Sequence, residues 1–239
     1  MEASLQNDLQ HLRRSFRVAC GVVMILWCLH VLQMLPAVDL SGLAIVPRQI
    51  GGLVGILGAP LIHADMAHLI SNSLPILILL TGTLYLYPRA APWTLAIIYL
   101  CGGTAVWLFA RPSAHLGASG LTYGLLTYLF FGGVLRRDPP SIGLALIVAF
   151  LYGGTIWGVL PIEAGVSFES HLAGACLGVL CAVLFRRLDF PHAPRSWFSW
   201  RSPVISPDDN PEEFFDDYDD YDEYREEYYD ESDDPDARR

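Results

Sequence analysis

Met66-Ala-His68-Leu-Ile-Ser-Asn72-Ser-Leu-Pro-Ile-Leu-Ile-Leu-Leu-Thr-Gly-Thr-Leu-Tyr-Leu-Tyr87 holds no Asp, Glu, Lys or Arg. A helix that crosses the ~30 Å hydrocarbon core of a bilayer needs ~20 mostly apolar residues at ~1.5 Å rise each. This stretch is long enough, and it carries His68 and Asn72 in its opening turns, one helical turn apart on one face. Polar side chains inside a bilayer are costly and by default mark function. The stretch therefore predicts both a membrane span and a polar site near one of its ends.

Five further stretches read the same way: Val18–Leu35, Pro92–Ala110, Ser119–Leu135, Ile142–Leu160 and Phe168–Phe185. Pro36, Pro88, Pro112, the Pro139-Pro140 pair and Pro161 fall between them, where helix breakers belong. The expectation is an all-α membrane protein, a six-transmembrane-helix bundle. With an even number of spans both termini share a side. Ten arginines, Arg13 and Arg136 among them, lie on that side, whereas Arg48 and Arg111 alone flank the other. The positive-inside rule then makes both termini cytoplasmic. The loop from Pro36 to Asp65 is Gly-rich and apolar, too broken to span and too greasy for a plain aqueous loop. An element lying in the outer interface is expected there.

Composition divides the chain into a segment 1–17, a membrane body 18–190 and a tail 191–239. The formal net charge is −10, but 17 of the 25 acidic residues lie between Asp208 and Asp236. The charge therefore describes the tail, which reads as an acidic, Tyr-rich, solvated cytoplasmic extension with scope to dock a basic partner. All 15 basic residues are arginine. The five cysteines are odd in number and form no C-x-x-C pair, which argues against a disulfide framework or a zinc site. The N-terminus lacks the basic start and early apolar core of a signal peptide. No internal repeat supports a transporter built from inverted halves.

The polar residues of the body gather on three spans. His63 lies just above His68 and Asn72 of the second. The fourth opens with Gly117-Ala118-Ser119-Gly120, with Tyr123 one turn below Ser119. The sixth carries His171, with Gly174 and Gly178 on the same stripe. Each span serves as a ruler when its lower end is anchored at the cytoplasmic arginine, which snorkels to that interface. Ser119 lies ~26 Å above Arg136, His171 ~23 Å above Arg186 and Asn72 ~26 Å above Arg89. Serine, histidine and asparagine thus share a depth just below the outer edge of the core. Gly120 with Gly124, and Gly174 with Gly178, are small-residue pairs that let two helices approach closely in lipid. Their approach would bring Ser119 to His171.

A serine hydroxyl attacks once a base takes its proton, and His171 suits that role and the later protonation of a leaving amine. His68, Asn72 and the backbone N–H groups at the start of the fourth span could serve the oxyanion. Glu163 and Glu169 are in or beside the outer loop and Asp65 is at the mouth of the second span, so no acidic residue lies deeper in the spans to complete a triad, and a Ser–His dyad is expected, with Tyr123 holding the imidazole by stacking. His115 reads as a loop residue, and His11, His30 and His192 as incidental.

The strings His63-Ala-Asp-Met-Ala-His68-Leu-Ile-Ser-Asn72, Gly117-Ala-Ser119-Gly-Leu-Thr-Tyr123 and His171-Leu-Ala-Gly174-Ala-Cys-Leu-Gly178 together resemble the signature of rhomboid intramembrane serine proteases. The likeness runs from about Ile45 to Arg187. It implies a catalytic dyad of Ser119 and His171, and an oxyanion site of His68, Asn72 and the Ser119 amide, with Gly117 beside it. Gly120, Gly174, Gly178, Tyr123 and His63 would support them. It implies single-pass membrane proteins as substrates, cut in or near their spans, with no metal or cofactor and no nucleic-acid partner. Lateral substrate access would run by the fifth span and Pro161–Ser167. The compact form suggests a bacterial inner membrane. The sequence departs from some bacterial members in the first outer loop, where Arg48 stands without a preceding Trp, and Gly58-Ala-Pro-Leu-Ile precedes His63. Three other readings compete. A non-catalytic relative that binds membrane clients would typically lack the serine or the histidine. A channel would want midplane charge. A metal site at His63, His68 and His171 would want a carboxylate or thiolate beside them.

Overall fold

The computed structural model describes residues 2–162 and 165–189. The acidic tail and Glu163 lie outside the described residues. Residues 1–190 form one compact unit. Six longer helices follow one another: α1 (Glu2–Gln33), α2 (Met66–Leu86), α3 (Ala91–Phe109), α4 (Ser119–Arg136), α5 (Pro139–Tyr152) and α6 (Phe168–Leu184). Among the described residues there is no strand, only an isolated bridge between Ile45 and His115.

Helices α1, α2, α3, and α5 with its continuation to Val159 are long and apolar enough to cross a membrane. Helix α6 is a residue or so shorter than that standard, and α4 is lowered in hydropathy by Ser119, Thr122, Tyr123 and its glycines. These two pack most extensively on one another. Side chains of the long helices that face outward are apolar, Met24, Leu74, Phe109 and Phe150 among them. In water such a surface would be an aggregation hazard, and in lipid it is the expected exterior. The chain is an integral membrane protein.

Several elements differ from their sequence reading. Helix α1 begins at Glu2, well before the apolar run at Val18, because Leu5, Leu9, Leu12 and Phe16 already repeat at helical spacing. Helix α3 is interrupted by a π turn at Ile97–Cys101. The α-helix of α5 ends at Tyr152 and tightens into a 3₁₀ segment, Gly153–Val159, where Gly153-Gly154 weakens the wider helix. Arg136 does not snorkel. It is 6% exposed, donates to the Leu86 carbonyl at 2.7 Å and to Asp138 at 2.5 Å, and lies over the Tyr87 ring. It caps the end of α2 and so makes a fixed marker of that end of the bundle.

The loop between α1 and α2 holds short helical turns at Ser41–Leu43, Ile50–Val54, Gly55–Gly58 and Ala59–Leu61. Gly52 and Gly55 pack directly on the backbone of Val46 and Ala44, with no room for a Cβ. Arg48, alone in sequence, is not alone in space. Its guanidinium donates to the carbonyls of Leu108 and Ala110 and caps the end of α3.

Candidate active site

Helix α4 starts at Ser119 and α6 places His171 in its first turn. Glycine sets how close the two come. A Cβ on Gly174 would collide with the Gly120 carbonyl, and one on Gly178 with the Gly124 carbonyl. Backbone therefore meets backbone along this seam, as small-residue pairs allow. At its head Ser119 Oγ and His171 Nε2 are 2.8 Å apart. Ser119 is half-buried and His171 buried.

The other imidazole nitrogen fixes the tautomer. His171 Nδ1 lies 2.8 Å from the Gly158 carbonyl, which can only accept. Nδ1 therefore carries the hydrogen, and Nε2 presents its lone pair to the serine hydroxyl. Tyr123 stacks on the imidazole at 4.1 Å between centroids and 7° between planes. Its hydroxyl donates to the Thr155 carbonyl at 2.5 Å. The 3₁₀ segment after α5 thus holds both the imidazole and the ring that supports it. Sequence reasoning missed Gly158 and Thr155, because each contributes a carbonyl, which every residue has.

His68 and Asn72 face the start of α4. Gly117 has φ +105°, which glycine adopts without strain, and a Cβ there would collide with the His68 ring. The Gly117 N–H donates to Ala59 at 2.8 Å, which seats this turn on the first loop. Asn72 is 3% exposed. One hydrogen of its amide goes to the His68 carbonyl at 2.9 Å, and Thr122 Oγ1 donates toward its oxygen at 3.5 Å. The backbone N–H groups of the first turn of α4 have no partner within the helix.

His63 is 1% exposed and packs edge-on against His68 at 5.1 Å, with no partner in the structure for either ring nitrogen. Burial, reinforced by repulsion from His68 and His30, holds its pKa down at about 4. His115, a loop residue in the sequence reading, is 2% exposed and bonded on both ring nitrogens. His30 is also buried. Among the described residues no three His, Cys, Asp or Glu side chains converge as metal ligands.

Residues 51–188, from the first loop through the end of α6, match the family model of the rhomboid domain. The chain belongs to the rhomboid family. Rhomboids are generally intramembrane serine proteases. Uncharacterized proteins of Mycobacterium tuberculosis and Mycobacterium bovis are each 37% identical to it over 172 residues, 68% of this chain and 71% of the relative. An uncharacterized protein of Mycobacterium leprae is 36% identical over 160 residues, 62% of this chain and 61% of its own length. Helix α1 lies outside the rhomboid match, which begins at Gly51. All the polar groups described at the head of α4 and α6 lie within it.

Proposed function

We propose that this rhomboid is an intramembrane serine endopeptidase that cuts membrane proteins in or near their spans, using Ser119 as nucleophile and His171 as base. The observation that carries the reading is the 2.8 Å contact between Ser119 Oγ and His171 Nε2, with Nδ1 tied to a carbonyl so that Nε2 is the basic nitrogen. Ser119 Oγ attacks the scissile carbonyl carbon as its proton passes to Nε2. The charge that develops on the carbonyl oxygen is met by Asn72, His68 and the amide N–H of Ser119. Nε2 then returns the proton to the leaving amine, and the acyl-enzyme forms. A water molecule, deprotonated by the same nitrogen, releases the second product and restores the serine. Tyr123 holds the ring plane throughout.

On this reading six helices span the bilayer. Helices α4 and α6 are the short central pair, sheltered by the longer four, and the first loop rests in the outer interface. The arginine distribution favours cytoplasmic termini and suits a bacterial inner membrane. Single-pass membrane proteins are the substrate class, and the charge of the acidic tail suits a basic cytoplasmic partner. A client-binding relative without catalysis is disfavoured because its dyad need not be aligned, and here the hydroxyl, imidazole and tautomer all agree.

The test is cleavage by detergent-purified protein of a panel of single-pass substrates, without metal or ATP. Wild type is expected to cut at least one, and Ser119→Ala and His171→Ala none. Equal cleavage by Ser119→Ala would reject the mechanism.

A further inference from the structure

A second histidine–serine pair stands beside the first. His115 lies four residues before Ser119, and Ser167 lies four residues before His171. His115 Nδ1 and Ser167 Oγ are 2.7 Å apart, against 2.8 Å for the pair Ser119 and His171. Both pairs join the same two chain segments with the roles crossed: here the imidazole is on the α4 side and the hydroxyl on the α6 side. We propose that His115 and Ser167 are positioning residues, which set the head of α6, and with it the His171 imidazole, against Ser119. The proposal rests on the protease reading above.

The hydrogen-bond directions are settled by their partners. His115 Nε2 lies 3.0 Å from the Arg111 carbonyl, an acceptor, so Nε2 carries the hydrogen and Nδ1 accepts from the Ser167 hydroxyl. The Ser167 oxygen is then left to accept from the Ser170 N–H at 3.3 Å, and it meets the Ser170 hydroxyl at 2.8 Å. Ser167 is the N-cap of α6. The imidazole of His115 therefore orients the cap of the helix turn that contains His171, whose own N–H donates to the Ser167 carbonyl at 3.3 Å.

His115 is itself immobilised. Its N–H and C=O exchange 2.9 Å hydrogen bonds with Ile45 of the first loop. An outer clasp reinforces the inner one. Arg111 pairs with Glu169 at 3.4 Å, donates to the Val166 carbonyl and lies over the Phe168 ring. That pair is partly exposed, and exposed ion pairs contribute little. The His115–Ser167 bond, made by a buried imidazole, is the stronger determinant.

Helix packing alone does not do this work. The glycine seam fixes the separation of α4 and α6, but two bare backbones offer little to stop one helix sliding or turning against the other. Thr127 Oγ1, donating to the Ala175 carbonyl at 2.9 Å, ties the helices below the dyad. His115 and Ser167 tie them above it. A reacting group displaced by about 1 Å can lose on the order of 100-fold in rate. A groove-lining or purely structural pair would act on KM or on the amount of folded protein instead.

The experiment uses the full chain purified in detergent, as wild type, His115→Ala, Ser167→Ala and Ser167→Thr. For each, kcat and KM are measured on one transmembrane substrate, with the labelling rate of Ser119 by a fluorophosphonate per folded molecule and the Tm. Ser167→Ala and His115→Ala are expected to lose roughly 10- to 100-fold in kcat and in labelling rate, with KM changed less than about twofold. Ser167→Thr keeps the hydroxyl and the cap and is expected within about threefold of wild type. Alanine variants that cut and label like wild type per folded molecule would overturn the proposal, as would Ser167→Thr as impaired as Ser167→Ala. If His115→Ala does not fold, the two Ser167 variants decide. A wild type that neither cuts nor labels is a different result, and sinks the protease reading itself.

Discussion

The dyad depends on which nitrogen of His171 holds its proton, and a carbonyl decides that. Because Gly158 accepts from Nδ1, no carboxylate needs to be carried into the bilayer, where its charge would be expensive. Asn72, buried beside the start of α4, bonds one amide hydrogen to the His68 carbonyl and is proposed as an oxyanion donor. Removing a single oxyanion donor typically costs about 10²- to 10³-fold in kcat. Asn72→Ala is therefore expected to lower kcat by that order, with KM little changed and the fold intact, measured by steady-state kinetics beside a thermal melt. A loss confined to KM would remove Asn72 from the transition state. These residues were legible in the sequence because polar side chains are conspicuous in apolar runs. The Gly158 and Thr155 carbonyls were not, since no side chain announces them. Nor was the structural weight of His115, whose partners come from distant segments.

Among the elements, α4 and α6 form an inner pair whose glycines take the place of side-chain packing. A Cβ at Gly174 would strike the Gly120 carbonyl, which is backbone and cannot swing aside. Overpacking of this kind costs about 1–3 kcal/mol. Gly174→Ala is expected to lower Tm and to slow fluorophosphonate labelling of the molecules that remain folded. Unchanged labelling in a stable Gly174→Ala protein would show that the seam does not set the dyad. The helices themselves were readable from hydropathy and proline punctuation, with boundaries within a few residues for α2, α4 and α6. The π turn in α3, the 3₁₀ end of α5 and the early start of α1 were not read. The first two are backbone adjustments to neighbours, and the last is a polar-looking stretch whose leucines repeat at helical spacing.

For the molecule as a whole, the structure concentrates histidine near one end of the bundle, and His63 is the costliest of the group to protonate. Its pKa is about 4 in the fold, against 6.5 when free, so the unfolded chain binds more protons between those values. Stability from this residue is complete above about pH 6.5 and is lost as pH falls toward 4, by up to about 3 kcal/mol. Thermal melts in detergent are expected to fall over that window in wild type, and His63→Gln is expected to flatten the fall. An identical pH dependence in the two proteins would contradict this assignment. The arginine ruler assumes that Arg136 reaches the lipid interface, and the structure buries it instead. Arg136 marks the lower end of α4 by capping α2 inside the protein, and not by reaching the lipid headgroups.

The most direct measurement is covalent capture of the nucleophile. Wild-type protein in detergent is treated with a fluorophosphonate, digested and mapped by mass spectrometry, with His171→Ala in parallel. One adduct is expected, on the peptide containing Ser119, with its loss or strong slowing when His171 is removed. Modification elsewhere with Ser119 untouched, or labelling of Ser119 at the same rate without His171, would contradict it.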